Sequence, residues 1–287
     1  MTDHGHAAGT YSQRLARELA ASRHLCAGID PSSAMLAEWG LDDSAASAER
    51  LGREVVAAAA GVAACVKPQV AFFERFGAAG YAALARVLAD ARAAGVLTIA
   101  DVKRGDIGTS FAAYADAWLT PGSPLEADAM TVVAYQGFGS LEGAFELIRQ
   151  HGKGLFVLAA TSNPEAFAVQ TAVRGDGRTV AQAVVDDALA FHNPTDDHVN
   201  SVGVVLGATL QLRDFAITTD APPAKPALPV LAPGFGAQGA NIADAKSIFG
   251  GLAWAMLANE SRSILAGGAA GLSDRISARA EAIAQAV

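Results

Sequence analysis

The segment 99–110, "IADVKRGDIGTS", places Asp101, Lys103, Arg104 and Asp106 almost side by side at the end of an apolar run. A second cation, Lys67, interrupts the apolar run "ACVKP" at 64–68. An ammonium buried in such a run is costly unless a carboxylate pairs with it. Residues two apart on a strand point to the same face. If these two runs are neighbouring strands, Lys67, Asp101, Lys103 and Asp106 are predicted to form an array of alternating charge. At about 4 Å, each opposite-charge contact has a Coulomb attraction of roughly 4 kcal/mol at an effective dielectric of 20. Lysines held in that way stay protonated. A rigid, protonated lysine is a proton donor rather than a Schiff-base nucleophile.

Strands are needed to position these groups. Near-continuous apolar runs lie at 24–30, 64–68, 96–103, 129–135, 154–162, 201–209, 228–236 and 252–259. They lack strict alternation, as expected of parallel strands buried on both faces. Between them, 47–60, 80–95, 139–152 and 179–192 carry apolar residues three and four apart, and 273–286 does so after the last run. Eight strand–helix alternations predict a single (β/α)₈ TIM barrel over residues 1–287. Residues 1–20 are expected to be a peripheral N-terminal segment. Residues 212–229, with Pro222, Pro223, Pro226 and Pro229, read as a proline-rich loop insertion, either lid or disordered.

A barrel gathers its chemistry at the C-terminal ends of its strands. Asp30, Lys67, Asp101 with Lys103, Thr161 with Ser162, Gln238 and Arg262 fall at or just after the ends of six predicted strands. A common pocket is the simplest account of that coincidence. Its far end reads as an anion site. "PGFGAQG" (233–239) follows the seventh strand and "NESRSI" (259–264) the eighth. Glycines let backbone N–H groups approach a phosphate, Gln238 can donate through its amide, and Arg262 can grip two oxygens at once. Gly234, Gly236 and Gly239 also spell G-x-G-x-x-G, with Glu260 some way beyond. A dinucleotide fingerprint belongs to the first βα unit of its domain, so this match at the seventh strand argues little for NAD.

Composition restricts the partners. Asp and Glu outnumber Lys and Arg by 29 to 21, a formal charge of −8, which argues against nucleic acid or an anionic membrane as partner. The longest apolar run, 55–66, is too short to span a bilayer, and the N-terminus lacks the pattern of a secretory signal. Cys26 and Cys65 sit in apolar runs and read as reduced core thiols, without the spacing of a zinc site. A cytoplasmic enzyme acting on a small anionic molecule is expected.

These segments resemble the orotidine 5′-phosphate decarboxylase family, in its longer bacterial form. The motif D-x-K-x-x-D stands as Asp101-Val102-Lys103-Arg104-Gly105-Asp106, flanked as "KRGDIG". "VKPQVAFFERFG" (66–77), "TSNP" (161–164) and "PGFGAQG" are similar to further segments of that family. D-x-K-x-x-D alone is shared with other phosphosugar decarboxylases; the combination is more specific. The resemblance implies a (β/α)₈ homodimer that needs no metal or cofactor. It would convert orotidine 5′-monophosphate to UMP and CO₂, the last step of de novo pyrimidine synthesis. It further implies that Asp30 and Lys67 bind ribose hydroxyls, Asp101 lies against the departing carboxylate and Lys103 protonates C6. Asp106 would complete the partner subunit's site, Ser162 would contact the pyrimidine, and Gln238 and Arg262 would hold the phosphate. Ser110 stands where the family usually has threonine, keeping the hydroxyl without the methyl group.

Overall fold

The computed structural model describes residues 9–287. Eight parallel strands close into one barrel: β1 (Leu25–Ile29), β2 (Cys65–Pro68), β3 (Leu97–Arg104), β4 (Ala129–Val132), β5 (Gly154–Ala160), β6 (Val202–Leu206), β7 (Val230–Pro233) and β8 (Met256–Glu260). Leu25 of β1 pairs with Ala258 of β8 and completes the ring. The helices, in chain order, are α1 (Tyr11–Ala20), α2 (Ser33–Glu38), α3 (Ala45–Ala59), α4 (Ala71–Glu74), α5 (Gly77–Ala93) and α6 (Gly108–Leu119). They continue with α7 (Glu142–His151), α8 (Ala166–Gln170), α9 (Val180–Ala190), α10 (Ala245–Phe249), α11 (Arg262–Leu265) and α12 (Leu272–Ala286). No helix among the described residues is long and apolar enough to cross a membrane.

Each expected apolar run contains a strand, so the (β/α)₈ prediction holds. Five strands end before their runs do, β2 ends with its run, and β3 and β8 continue one residue further; Phe235, for example, stays buried although β7 has already ended at Pro233. Hydropathy registers burial, whereas a strand also requires hydrogen-bonded neighbours.

The alternating pleat divides the strands' apolar residues into two sets. Ala27, Val66, Ala100, Met130, Val157, Val204, Ala232 and Ala258 face outward and pack beneath the helices. Cys26, Cys65, Leu97, Ile99, Ala129, Phe156, Leu231 and Leu257 face inward and fill the barrel. Fully burying one of the larger aliphatic or aromatic side chains contributes about 1.5–3 kcal/mol. Phe156 occupies the interior because its neighbour on β6 is Gly203, where an added Cβ would lie 2.8 Å from the Phe156 ring.

The structure adds detail to two expected segments. From Thr10 onward the N-terminal segment is not peripheral. Thr10 and Gln13 form a reciprocal capping box that starts α1. Tyr11 then enters the lower end of the barrel, edge-on to Phe156 with ring centroids 6.4 Å apart. Gly154 leaves the room it needs, since a Cβ there would fall 2.2 Å from the Tyr11 ring. Arg14 locks the helix to Asp128 at 2.5 Å. The remainder of the expected segment, 1–8, lies outside the described residues. The proline-rich segment 212–229 is anchored at both ends, while 218–226 between them is exposed or half-buried. Leu212, Phe215, Ile217 and Leu228 are buried. The amides of Gly251 and Asn200 donate to the carbonyls of Thr219 and Ala227, at 2.8 and 2.9 Å. Apolar residues toward its ends anchor it despite its lack of periodicity.

Tyr11 therefore closes the barrel from below. Replacing it with alanine is expected to cost about 3–5 kcal/mol of unfolding free energy, as for other large aromatic truncations. Tyr11→Phe, which keeps the ring, should cost less than about 1 kcal/mol, because the buried hydroxyl has no hydrogen-bond partner among the described residues. Urea titrations of both variants check the assignment; equal losses would show that the hydroxyl, not the ring, closes the barrel.

Candidate active site

The inward-facing parity that fills the barrel continues upward into polar residues. Cys26 and Gly28 lead to Asp30, and Cys65 leads to Lys67 and Gln69. Leu97 and Ile99 lead to Asp101 and Lys103, Ala129 to Thr131, and Leu257 to Asn259 and Ser261. These groups meet in a cavity of about 290 Å³ at the C-terminal mouth, which Ser162, Gln238 and Arg262 also line. Gly28 leaves space within this wall: a Cβ there would sit 1.9 Å from Ser261 Oγ. A wider polar cleft of about 960 Å³ lies between residues 208–220 and 239–248, and none of the charged array lines it. The proline-rich segment borders that cleft instead of the charged cavity.

Asp101 holds the floor together. Its Oδ2 accepts from Lys67 Nζ at 2.7 Å, and its Oδ1 accepts from Lys103 Nζ at 2.5 Å and from Thr131 Oγ1 at 2.9 Å. The side chains of Lys67 and Asp101 are 4% and 8% exposed, while Lys103 is 44% exposed on the cavity side. Burial alone would raise the Asp101 pKa, but the charges of Lys67 and Lys103 overcome it and hold the carboxyl well below its ordinary range. Burial alone would lower the Lys67 pKa; the charges of Asp101 and Asp30 prevail and push it well above the ordinary lysine value. Each burial penalty is outweighed by an adjacent opposite charge.

The strand is bent to deliver Lys103. Its φ is +47°, a region that side chains other than glycine rarely adopt. The register with β4 slips between Ala100 and Arg104, so a bulge lies here. Thr131 secures it twice, accepting from the Lys103 amide at 3.0 Å and donating to Asp101. Gln69 adds a third clamp. With its amide oriented to satisfy both neighbours, it donates to the Asp101 carbonyl at 2.8 Å and accepts from Lys103 Nζ at 3.2 Å.

Asp106 does not join this array within its own chain, so the expected four-charge arrangement reduces to Lys67, Asp101 and Lys103. β3 ends at Arg104, which turns outward to Glu74 at 2.9 Å. Gly105 then passes against the Val133 carbonyl, where a Cβ would come within 2.4 Å. Alternation no longer governs the chain beyond that turn. Asp106 accepts from the Ile107 amide at 2.8 Å, and Ser110 is exposed on the first turns of α6. Neither lines the cavity.

At the opposite wall, Gly234 bends the chain after β7 at φ +124°, which a side chain would strain. Gln238 and Arg262 are exposed and bond to no other protein side chain among the described residues, so both can reach an anion. Glu260 is fully buried and faces Arg279 of α12, not the cavity. Arg279 Nε donates to Glu260 Oε2 at 2.9 Å, and Ser263 Oγ donates to the same carboxylate. Glu260 therefore anchors the loop after β8, and the G-x-G-x-x-G spacing is no dinucleotide site. Overall, the cavity offers cations at one end, a phosphate-sized set of donors at the other, and Asp30 between them with a buried oxygen that lacks a partner among the described residues.

A family model described as "Orotidine 5'-phosphate decarboxylase / HUMPS family" matches residues 23–267. The chain belongs to this family. A relative named orotidine 5′-phosphate decarboxylase from Streptomyces coelicolor is 47% identical over 256 residues, covering 89% of each chain. One of the same name from Corynebacterium glutamicum is 44% identical, covering 90% of this chain and 91% of its own. A crystal structure from Streptomyces avermitilis matches with a TM-score of 0.90 at 44% identity, over 100% and 99% of the two chains. The structure of Leishmania donovani OMP decarboxylase matches with a TM-score of 0.74 at 29% identity, over 97% and 100%.

In this orotidine 5′-phosphate decarboxylase / HUMPS family barrel, reading the sequence for strand-end charges overlooked Gln69, Thr131, Asn163, Asn259, Ser261 and Ser263, all of which line the cavity. The pleat could have found several of them. Gln69 lies two beyond Lys67, and Asn259 lies two beyond the inward Leu257.

Asp101→Asn takes from the buried Lys67 ammonium the one carboxylate hydrogen-bonded to it among the described residues. The expected loss at pH 7 is about 3–5 kcal/mol, partly recovered when Lys67→Met is added. The folded-state pKa of Asp101 is depressed, so its stabilisation is complete above about pH 4, the unfolded value, and declines as pH falls further. The difference between wild type and Asp101→Asn should therefore shrink below pH 4 by up to about 1.4 kcal/mol per pH unit. Urea unfolding at pH 7 and pH 3 measures it; a constant difference would mean that folding does not lower the Asp101 pKa.

Proposed function

We propose that this chain is a carboxy-lyase that converts orotidine 5′-monophosphate to UMP and CO₂, the last step of de novo pyrimidine synthesis. The Lys67–Asp101–Lys103 array on the floor of a nucleotide-sized cavity is the observation that carries this reading. Family membership and the names of relatives that are 44–48% identical support it.

The chemistry follows from charge. The bond between C6 and the carboxylate carbon breaks, CO₂ leaves, and the electron pair stays on C6. The Lys103 ammonium lies beside that carbon and stabilises the pair as it forms. Lys103 Nζ then transfers a proton to C6 and recovers one from solvent. A fixed cation that is already oriented has little reorganisation to undergo during the reaction. In this reading the ammonium does the work of an electron sink, and no cofactor is required. Asp101 orients Lys103. Its negative charge also disfavours the substrate carboxylate more than it disfavours the product. Asp30 and Lys67 would take the ribose hydroxyls, using the unpartnered Asp30 oxygen. Ser162 would meet the pyrimidine, and Gln238 and Arg262 the phosphate. Phosphate binding far from C6 can help to offset the cost of bringing two anions together.

The working unit in this reading is a homodimer, with Asp106 and the adjoining Ser110 turn serving the neighbouring subunit. Asp106 stands on a rim outside its own cavity. Next to it Ile107 is 61% exposed, and Tyr135, after β4, is 84% exposed. Apolar groups at such a rim suit burial by a second copy.

An ultraviolet assay should show orotidine monophosphate consumed without added metal. Lys103→Ala should abolish turnover while UMP binding survives. Retention of more than about a tenth of the wild-type rate, a loss under roughly 1.4 kcal/mol, would remove Lys103 as proton donor.

Asp106→Ala should also be inactive, and mixing it with Lys103→Ala tests the shared site. A hybrid dimer contains one site with Lys103 from one chain and Asp106 from the other. Random exchange should restore roughly a quarter of wild-type activity. No recovery after demonstrated subunit exchange would place both groups in one chain's site.

A further inference from the structure

β5 stops pairing at Ala160, whose carbonyl accepts from the Gly207 amide at 2.9 Å. The next amide, Thr161 N–H, has no strand to bond to. Gln170, the last residue of α8, takes the place of that strand. Its Oε1 accepts from Thr161 N at 2.9 Å, and its Nε2 donates to Thr161 Oγ1 at 3.0 Å. The Thr161 hydroxyl, having accepted one proton, donates its own to Asn163 Oδ1 at 2.8 Å. Asn163 Nδ2 passes the polarity on to Glu165 at 3.1 Å. The donors run in one direction from Gln170 through Thr161 to Asn163, so each bond polarises the next.

Backbone bonds from the Ala166 and Phe167 amides to the Asn163 and Pro164 carbonyls, at 3.1 and 3.3 Å, close the turn that follows, but neither reaches Thr161. α8 buries no residue, and Phe167, half exposed, lies edge-on to the Phe215 ring, with centroids 5.5 Å apart. The residues fixed by the relay are Thr161, Ser162 and Asn163, which form one stretch of the cavity wall. Arg262, Gln238 and Asp30 come from other elements and have no bond to Gln170.

We propose that Gln170 is a positioning residue for pyrimidine recognition, setting the Ser162–Asn163 wall without touching the ligand. The proposal rests on the nucleotide reading of the cavity. Two neutral hydrogen bonds from Gln170 tie the wall to α8. Their loss should weaken base recognition and leave sugar-phosphate recognition intact.

The test compares two ligands by calorimetry. UMP carries base, ribose and phosphate; ribose 5-phosphate lacks the base. Wild type should bind UMP more tightly. Gln170→Ala should lose roughly tenfold in UMP affinity and keep ribose 5-phosphate affinity within about twofold. Retained ribose 5-phosphate binding also reports that the variant is folded. An unchanged UMP affinity, or an equal loss for both ligands, overturns the role assigned to Gln170. A wild-type protein that binds UMP no better than ribose 5-phosphate overturns the nucleotide reading itself, and this inference with it.

Discussion

Asp101 carries one negative charge and holds two positive ones. Each oxygen of its carboxylate is committed to a lysine, and Thr131 occupies a further lone pair. A carboxylate so fully engaged has no capacity left to act as a base. What it does is keep Lys67 charged where burial would favour a neutral amine, and hold Lys103 where a free lysine would sweep through many rotamers. The site's net charge, the direction of Lys103 and the tolerance for a buried cation all depend on this one group.

The barrel supplies the geometry through a simple rule. Alternate residues point inward, so the same column that fills the interior with Cys65 below presents Lys67 above, and Ile99 below presents Asp101 above. Closing the sheet brings columns from β1, β2, β3, β4 and β8 toward a common axis. The interior must be solid for the mouth to be precise, and Phe156, Gly203 and Tyr11 make it so. The positive φ at Lys103 departs from the rule. Backbone strain of this kind costs on the order of 1–3 kcal/mol and persists only when its surroundings over-determine it. Here Thr131, Gln69 and Asp101 do that together, and the bulge carries Lys103 beyond where regular alternation would leave it.

Much of this was legible in the sequence, and the reasons differ by element. All eight strands announced themselves because a parallel strand covered on both faces is apolar throughout. Lys67, Asp101 and Lys103 stood out because charge within such a run needs an explanation. Segment 212–229 was only partly legible, because its prolines give no sign of the isolated residues, such as Phe215 and Leu228, that anchor its ends. Residues before 20 misled because the terminal position of α1 gave no hint that Tyr11 enters the barrel. Thr131 was invisible: a threonine within a strand is ordinary, and only the neighbouring bulge gives it two partners. Asp106 was placed in the array by spacing alone, which fails once the chain leaves the pleat at Gly105.

The two ends of the cavity are built differently, and the difference suits the work that the proposed function gives each of them. The floor is ion-paired and closely clamped; in the proposed reaction a cation displaced from C6 by even about 1 Å would lose much of its stabilising effect. The rim is exposed: Gln238 and Arg262 extend from turns and bond to no other protein side chain among the described residues. A rim of this kind can order around a phosphate when ligand arrives. Ordering then accompanies binding, while the charged floor needs no rearrangement at the moment of bond cleavage. Glu260 stands at the boundary between these regimes. Buried and paired with Arg279, it ties the turn bearing Arg262 to α12 and limits how far the soft end can move. Under the proposed function that restraint would let the phosphate act as a handle on the nucleotide, because binding energy realised at the rim can steer C6 toward Lys103 only if the rim is tied to the same frame.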